Sequence, residues 1–274
     1  MTANATPSQL PQPATVEEWQ PPMPPTDLIF DDGEPLESNR HRIAMNLLIR
    51  SLQQAWCDRD DYFTGGNMFV YYSRQQALNR DFRGPDFFVV LNVDGTRSRQ
   101  GWVIWEEEGR YPDVIVELMS PSTAKVDRGV KKELYSQTFH TRNYFIYDPF
   151  DENSLEGWQL DKQFNYQPLE TQENGWLWCE TLGFWLGTWQ GTIDRETAIW
   201  LRFYDTEGNV VPLPEEAAQQ QAETAQQQAE TAQQQAETAQ QQAETAQQQA
   251  EEAQQRAERL AARLRELGED PDTL

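Results

Sequence analysis

The chain has 274 residues and a mass of 31.8 kDa, and 45 acidic against 22 basic side chains give it a net charge of −23. That balance argues against a broad cationic face for nucleic acid, because phosphate attraction needs clustered Lys and Arg, though it leaves room for a local basic pocket. No apolar run reaches the roughly 18 residues of a membrane span, and the N-terminus lacks the basic and apolar regions of a signal peptide, so no membrane association and a cytoplasmic location are expected.

Charge and apolar content divide the chain at Pro214. Residues 1–214 hold all ten Trp and a net −14, and residues 215–274 hold almost no large apolar side chains and a net −9. Two cysteines, Cys57 and Cys179, and two histidines, His41 and His140, lack the spacing of a zinc cluster. In a reducing compartment both thiols are expected free, as buried fillers.

Residues 1–36 are rich in Pro, with six acidic groups and no Lys or Arg, and read as an extended or disordered leader. From Glu37 onward Ala44, Leu48, Leu52 and Ala55 or Trp56 recur at three- and four-residue spacing behind a possible N-cap, Ser38, which predicts an amphipathic helix. Four β-rich runs follow, Met68–Ser73, Phe87–Val93, Trp102–Trp105 and Val114–Met119, each bounded by Gly, Pro, Asn or Asp, and are read as strands of one sheet.

After a Ser120-Pro121-Ser122-Thr123 turn, Val126, Val130 and Leu134 predict a second amphipathic helix, and Tyr144–Tyr147 a further strand. Helix, strands, helix, strand make an α/β core over residues 37–150. Residues 151–213 read as a β-rich extension of that core, with a hairpin turn at Asp205-Thr206-Glu207-Gly208-Asn209.

From Ala218 the heptad AQQQAET repeats, setting Ala at alternating steps of four and three through Ala257, and the same seam continues through Leu260, Leu264 and Leu267. One helix of roughly 80 Å is expected over residues 214–268, ended by Gly268 and Pro271, with residues 269–274 disordered. Alanine buries little area, so the tail is either a solitary helix or a weakly paired coiled coil that makes the protein a homo-oligomer.

The sharpest chemical feature of the core is the placement of carboxylates. Gly84-Pro85-Asp86 opens one strand, and Pro112-Asp113-Val114-Ile115-Val116-Glu117 runs through another. Asp113 and Glu117 share a face but stand about 13 Å apart along the strand, too far to grip one metal. If the two strands pair antiparallel, however, Asp86 falls beside Glu117, and two such carboxylates offer hard oxygen ligands for Mg²⁺ or Mn²⁺. The competing reading makes Asp86 and Asp113 turn residues and Glu117 a solvated strand-end charge.

The series GPDFFVV, YPDVIVELMSPST, KVDRGVKKELY and NYFIYDP, with the DGEPLESNRHR opening, resembles the restriction-endonuclease family called Uma, of the PD-(D/E)XK nuclease-like superfamily, over about half the chain. The resemblance implies a mixed central sheet flanked by helices, here with a β-rich extension and the long C-terminal helix added, and a Mg²⁺- or Mn²⁺-dependent endonuclease acting on DNA. Carried over, Asp86 and Glu117 become metal ligands and catalytic groups. The superfamily lysine belongs two residues after the Glu, where this chain has Met119, and Lys131 on the next helix is the matching migrated lysine. An acidic residue on the first helix assists metal binding in some relatives, which makes Glu37 a third candidate ligand.

Lys131 has a plainer explanation, since Asp127, Lys131 and Tyr135 form an i, i+4, i+8 stripe and an Asp–Lys pair on a helix is commonly a surface salt bridge. His41 is either a base or a hydrogen-bonded structural histidine. His140 stands where relatives have a Gly-containing turn and receives no role. Trp102 and Trp105, flanking Arg97 and Arg99, are core residues or a groove wall that stacks on bases. Three functions stay open: a DNA endonuclease, a catalytically silent nuclease-like module that assembles through its tail, or a scaffold whose function lies in the tail with the core as its cap.

Overall fold

The computed structural model describes residues 23, 25–30, 38–79, 81 and 83–266, so most of the expected leader and the expected stop after the tail lie outside the described residues. The elements in chain order are α1 (Asn39–Ala55), β1 (Tyr62–Gly65), β2 (Val70–Tyr71), α2 (Arg74–Leu78), β3 (Phe87–Leu91), β4 (Trp102–Val103), β5 (Val114–Leu118), α3 (Ala124–Val126), α4 (Lys132–Gln137), β6 (Asn143–Asp148), β7 (Asp151–Leu160), β8 (Tyr166–Pro168), β9 (Leu177–Cys179), β10 (Phe184–Ile193), β11 (Glu196–Tyr204) and α5 (Pro214–Glu266). The described residues fall into two compact units, those up to 49 with 58–208, and 50–57 with those from 209 onward.

The first unit is built on a six-stranded mixed sheet of order β1-β3-β5-β6-β7-β8. Only β5 and β6 are parallel neighbours, and every other pair in it is antiparallel. A parallel pair cannot be joined by a tight turn and needs a crossover. Residues 124–137 supply it: α3, a π-helical turn at Asp127–Lys131, and α4. The crossover lies over the sheet face made by Phe88, Val90, Ile115, Tyr144 and Ile146, which share one buried cluster with Tyr135 and Phe139.

On the N-terminal helix, Ala44, Leu48 and Leu52 of the expected stripe are buried, joined by Ile43 and Leu47, while Ala55 is exposed, and Ser38 caps the helix by accepting from the His41 N–H at 3.3 Å. Arg40 pairs with Glu196 at 2.7 Å, fixing the start of α1 against β11. A second sheet of order β11-β10-β9 completes the unit, with Phe203 meeting Phe87 at 6.0 Å between ring centroids and the Tyr147 hydroxyl donating to the Ile199 carbonyl at 3.2 Å.

Several expectations are corrected. The runs read as one sheet separate, because Val70–Tyr71 and Trp102–Val103 form their own two-stranded parallel sheet. A strand unmarked in the sequence, β1, takes the edge beside β3. The hairpin of the second sheet turns at Asp194-Arg195, both at positive φ, and Asp205–Gly208 forms a turn at the end of β11. Of the two cysteines, Cys179 is a buried filler and Cys57 is exposed.

In the second unit α5 is a single helix of 53 residues, about 80 Å long at 1.5 Å per residue. Its start is tied by an ion pair between Glu215 and Arg50 at 2.5 Å. Along it, Gln219, Gln226, Gln233 and Gln240 each donate to the Glu four residues on. The Ala positions from Ala218 to Ala257 are exposed, and Leu260 is 58% exposed. No helix among the described residues is long and apolar enough to cross a membrane.

Candidate functional site

The register of β3 and β5 sets the site. Phe87 pairs with Val116 and Phe88 with Ile115, so the antiparallel ladder carries Asp86, one residue before β3, to the level of Glu117. Side chains alternate along a strand, so Asp86, Phe88 and Val90 share the face of Ile115 and Glu117, the face beneath the crossover helix. The Asp86 carboxylate accepts the Leu118 N–H at 2.8 Å, stapling the mouth of one strand to the other. Loss of solvation and the Glu117 charge beside it push the Asp86 carboxyl well above the usual carboxylate range.

Glu117 is fully buried. Its Oε1 accepts the Tyr135 hydroxyl at 2.7 Å, and its Oε2 lies 3.0 Å from Lys131 Nζ. Lys131 in turn reaches Asp127 Oδ1 at 2.8 Å. Burial works against the Lys131 charge, but the Glu117 and Asp127 carboxylates outweigh it and hold the ammonium protonated beyond the ordinary lysine range. Asp127 is only 1% exposed, and burial together with the Glu117 charge raises its carboxyl. Burial, reinforced by the same Glu117 charge, also holds Tyr135 as a neutral phenol, well suited to donate.

The crossover helix therefore faces the opposite way from its apolar periodicity. Of the expected buried stripe, Val126 and Val130 are 45% and 61% exposed and only Leu134 packs against the core cluster, while Asp127, Lys131 and Tyr135 point at the sheet. The π turn spans Asp127 to Lys131, and the Tyr144 hydroxyl takes up the Asp127 carbonyl at 2.9 Å. Ser120 and Thr123 hold the turn before it, with the Ser120 N–H donating to Thr123 Oγ1 at 2.9 Å.

The structure thus brings Asp86, Glu117 and Lys131 together and adds Asp127 and Tyr135, two residues of the quoted motif to which the sequence alone assigned no chemical role. Glu37, the third candidate ligand, lies outside the described residues. Among the described residues no three His, Cys, Asp or Glu side chains converge as a ready metal cluster, so the carboxylates present as a pair with Lys131 between Glu117 and Asp127. Met119, two residues after Glu117, is buried in the core cluster.

His41 is buried and occupied on both ring nitrogens, with Nδ1 2.8 Å from Ser38 Oγ and Nε2 3.3 Å from the Met119 carbonyl oxygen, which is the structural alternative for this residue. His140 adopts φ +54°, a conformation that suits glycine, and stacks on Phe164 with ring centroids 4.0 Å apart.

Asp113 is a structural group at the far end of β5, accepting the Leu91 N–H at 2.8 Å. The idea of Trp102 as a base-stacking wall is also overturned. Its ring is wholly buried, stacked on Phe63 at 5.2 Å, with its N–H donating to the Arg110 carbonyl. Arg99 lies against both rings and is locked to Glu107 at 2.8 Å.

A mixed sheet with paired acids at adjacent strand ends and a lysine from the crossover helix defines a nuclease-like α/β protein. Residues 14–192 match the profile of the Uma2 family, described as "Putative restriction endonuclease", and the chain belongs to that family. Among solved structures, the crystal structure of "a putative nuclease belonging to DUF820" from Anabaena variabilis ATCC 29413 is similar at 13% identity and a TM-score of 0.38, over 58% of this chain and 86% of that one. No curated protein matches the sequence.

Proposed function

We propose that the chain is a divalent-metal-dependent endonuclease that hydrolyses DNA phosphodiester bonds at the Asp86–Glu117 pair. The observation that carries this reading is the register of β3 and β5, which sets two carboxylates side by side at the end of a strand pair. The donor pair fits Mg²⁺ or Mn²⁺: Asp86 and Glu117 offer oxygen ligands only, Asp127 adds negative charge beside the one ammonium, and the buried Glu117 Oε2 has no hydrogen bond of ordinary geometry. When bound there, such an ion supplies Lewis-acid polarisation of a phosphoryl oxygen.

The remaining chemistry belongs to the chain. The Leu118 N–H aims Asp86, and the Tyr135 hydroxyl fixes the rotamer of Glu117. Lys131, held as an ammonium, cannot accept a proton at neutral pH. It serves as a charged donor toward a phosphate oxygen or the attacking water. Cleavage of plasmid or oligonucleotide DNA in Mg²⁺ or Mn²⁺, abolished by Glu117→Ala, is the expected result. Folded protein that leaves DNA and RNA intact with both metals refutes the reading.

The tail favours an added role in assembly, the basis of the silent-module alternative. Its seam is exposed from Ala218 through Leu260, and the flanking heptad positions of the repeats carry uncharged Gln, with Glu on the outer face, so no like-charge barrier opposes a second copy. Light scattering of the full chain is expected to give a multiple of 31.8 kDa. Ala236→Glu with Ala243→Glu in the seam should return it to the monomer, and Gln234→Glu with Gln241→Glu on the outer face should not. A monomeric wild type ends this reading.

A further inference from the structure

Among the described residues, the basic side chain that reaches the site sits between two acids. Lys131 Nζ bridges Glu117 Oε2 at 3.0 Å and Asp127 Oδ1 at 2.8 Å, and both oxygens are buried with no other partner of hydrogen-bond geometry. Glu117 and Asp127 are no more than 1% exposed, while the lysine side chain keeps 20% of its surface. A surface Asp–Lys pair has none of these properties. This stripe is buried at the expense of Val126 and Val130, which the helix turns outward.

Two cations compete for Glu117 in such a place. An ion bound by Asp86 and Glu117 and an ammonium on the same Glu117 oxygen would repel strongly at these distances in a poorly solvated site. The lysine has a second seat, because Asp127 precedes it by one helical step and is held in place through its own backbone, whose carbonyl accepts the Tyr144 hydroxyl.

We propose that Lys131 is an exchangeable placeholder: a divalent cation entering at Asp86 and Glu117 displaces the ammonium from Glu117, and Asp127 retains it beside the site. Asp127 is thus a positioning residue for Lys131 and not a metal ligand. The exchange rests on the reading that Asp86 and Glu117 hold the ion. It predicts opposite effects of the two residues on metal affinity, which a static salt bridge does not.

Calorimetric titration of the full chain with Mn²⁺ tests this in wild type, Lys131→Met, Asp127→Asn, the double variant and Glu117→Gln. Lys131→Met should bind Mn²⁺ about tenfold more tightly, with no ammonium to displace. Asp127→Asn should bind it about tenfold more weakly, but should change affinity less than about threefold when Lys131 is already Met, since its effect runs through the lysine. If Lys131→Met unfolds without metal, refolding by millimolar Mn²⁺, followed by circular dichroism, is the same positive result, and failure to refold overturns the exchange. Equal weakening by Asp127→Asn in both backgrounds overturns it too, marking Asp127 as a direct ligand. Unchanged affinity in Lys131→Met alongside lost binding in Glu117→Gln removes the exchange and leaves the metal site standing. No Mn²⁺ binding in any form removes both.

Discussion

Replacing Tyr135 by Phe tests the architecture of the site without touching an acid or the lysine. The hydroxyl donates to Glu117 Oε1 at 2.7 Å, and both residues are fully buried. The ring, packed against Phe139 and Tyr144 at 5.2 and 5.3 Å, survives the change. Only a hydrogen bond to a charged acceptor is deleted, and no water replaces it, which costs about 1.5–3 kcal/mol. With a urea m-value of about 2–3 kcal/mol/M, the unfolding midpoint followed by tryptophan fluorescence should fall by roughly 0.5–1.5 M. In a Glu117→Gln background the same change should cost about 1 kcal/mol less, because a neutral acceptor makes the weaker bond. A Tyr135→Phe protein as stable as wild type, or an equal loss in both backgrounds, would show that this bond does not hold Glu117 and would undo the argument that the helix is turned inward to serve it.

Two further perturbations follow from the same geometry. The Asp86 carboxyl is raised in the folded chain, so its contribution to stability is present below its unfolded value of about 3.8 and is lost as pH rises through the higher folded value. Metal-free Asp86→Asn should therefore gain in melting temperature over wild type as pH is taken from about 4 to 8, and a constant difference across that range would contradict the assignment. Val130→Glu should shift stability by no more than about 0.5 kcal/mol, because its side chain is 61% exposed. A loss of several kcal/mol on urea unfolding would mean that the apolar stripe is buried after all.

What could be read from the sequence follows physical lines. The pairing of Asp86 with Glu117 needs only the antiparallel arrangement of two strands, because a period-2 ladder fixes which residues meet once one pair is set. The first helix was equally legible, since its stripe is apolar and nothing competes with it. The crossover helix was not. Apolar periodicity selects Val126 and Val130, but Lys131 and Tyr135 reach Glu117 and Asp127 pairs with Lys131, contacts that require these residues to face the sheet, and the π turn lies at this point of the helix. Lys131 was reachable through the family motif and not through the pattern. The strand β10 carries two glycines, Gly187 and Gly191, that interrupt its apolar alternation. Each is in fact a seat for an indole, since a Cβ would lie 2.2 Å from Trp176 at Gly187 and 1.9 Å from Trp189 at Gly191. Its turn, Asp194-Arg195, takes positive φ with neither Gly nor Asn to announce it.

The charge of −23 takes on a more specific meaning once the basic residues near the site are followed to their partners. Arg128 is paired with Glu156 at 2.8 Å, and the Lys132 ammonium lies over the Trp158 ring at 3.7 Å. Among the basic side chains of the described residues Lys131 alone pairs with the site's carboxylates, and it is outnumbered there by Asp86, Glu117 and Asp127. A phosphodiester approaching this end of β5 without a bound cation would meet net negative charge in a poorly solvated place, where repulsion is weakly screened. On the proposed reading a divalent ion brings the three acids and one ammonium to neutrality, so substrate affinity and metal occupancy rise together. DNA retention measured against Mn²⁺ or Ca²⁺ concentration should then follow the same curve as metal binding, and retention of DNA at full strength in a chelator would place the DNA on some other surface of the chain.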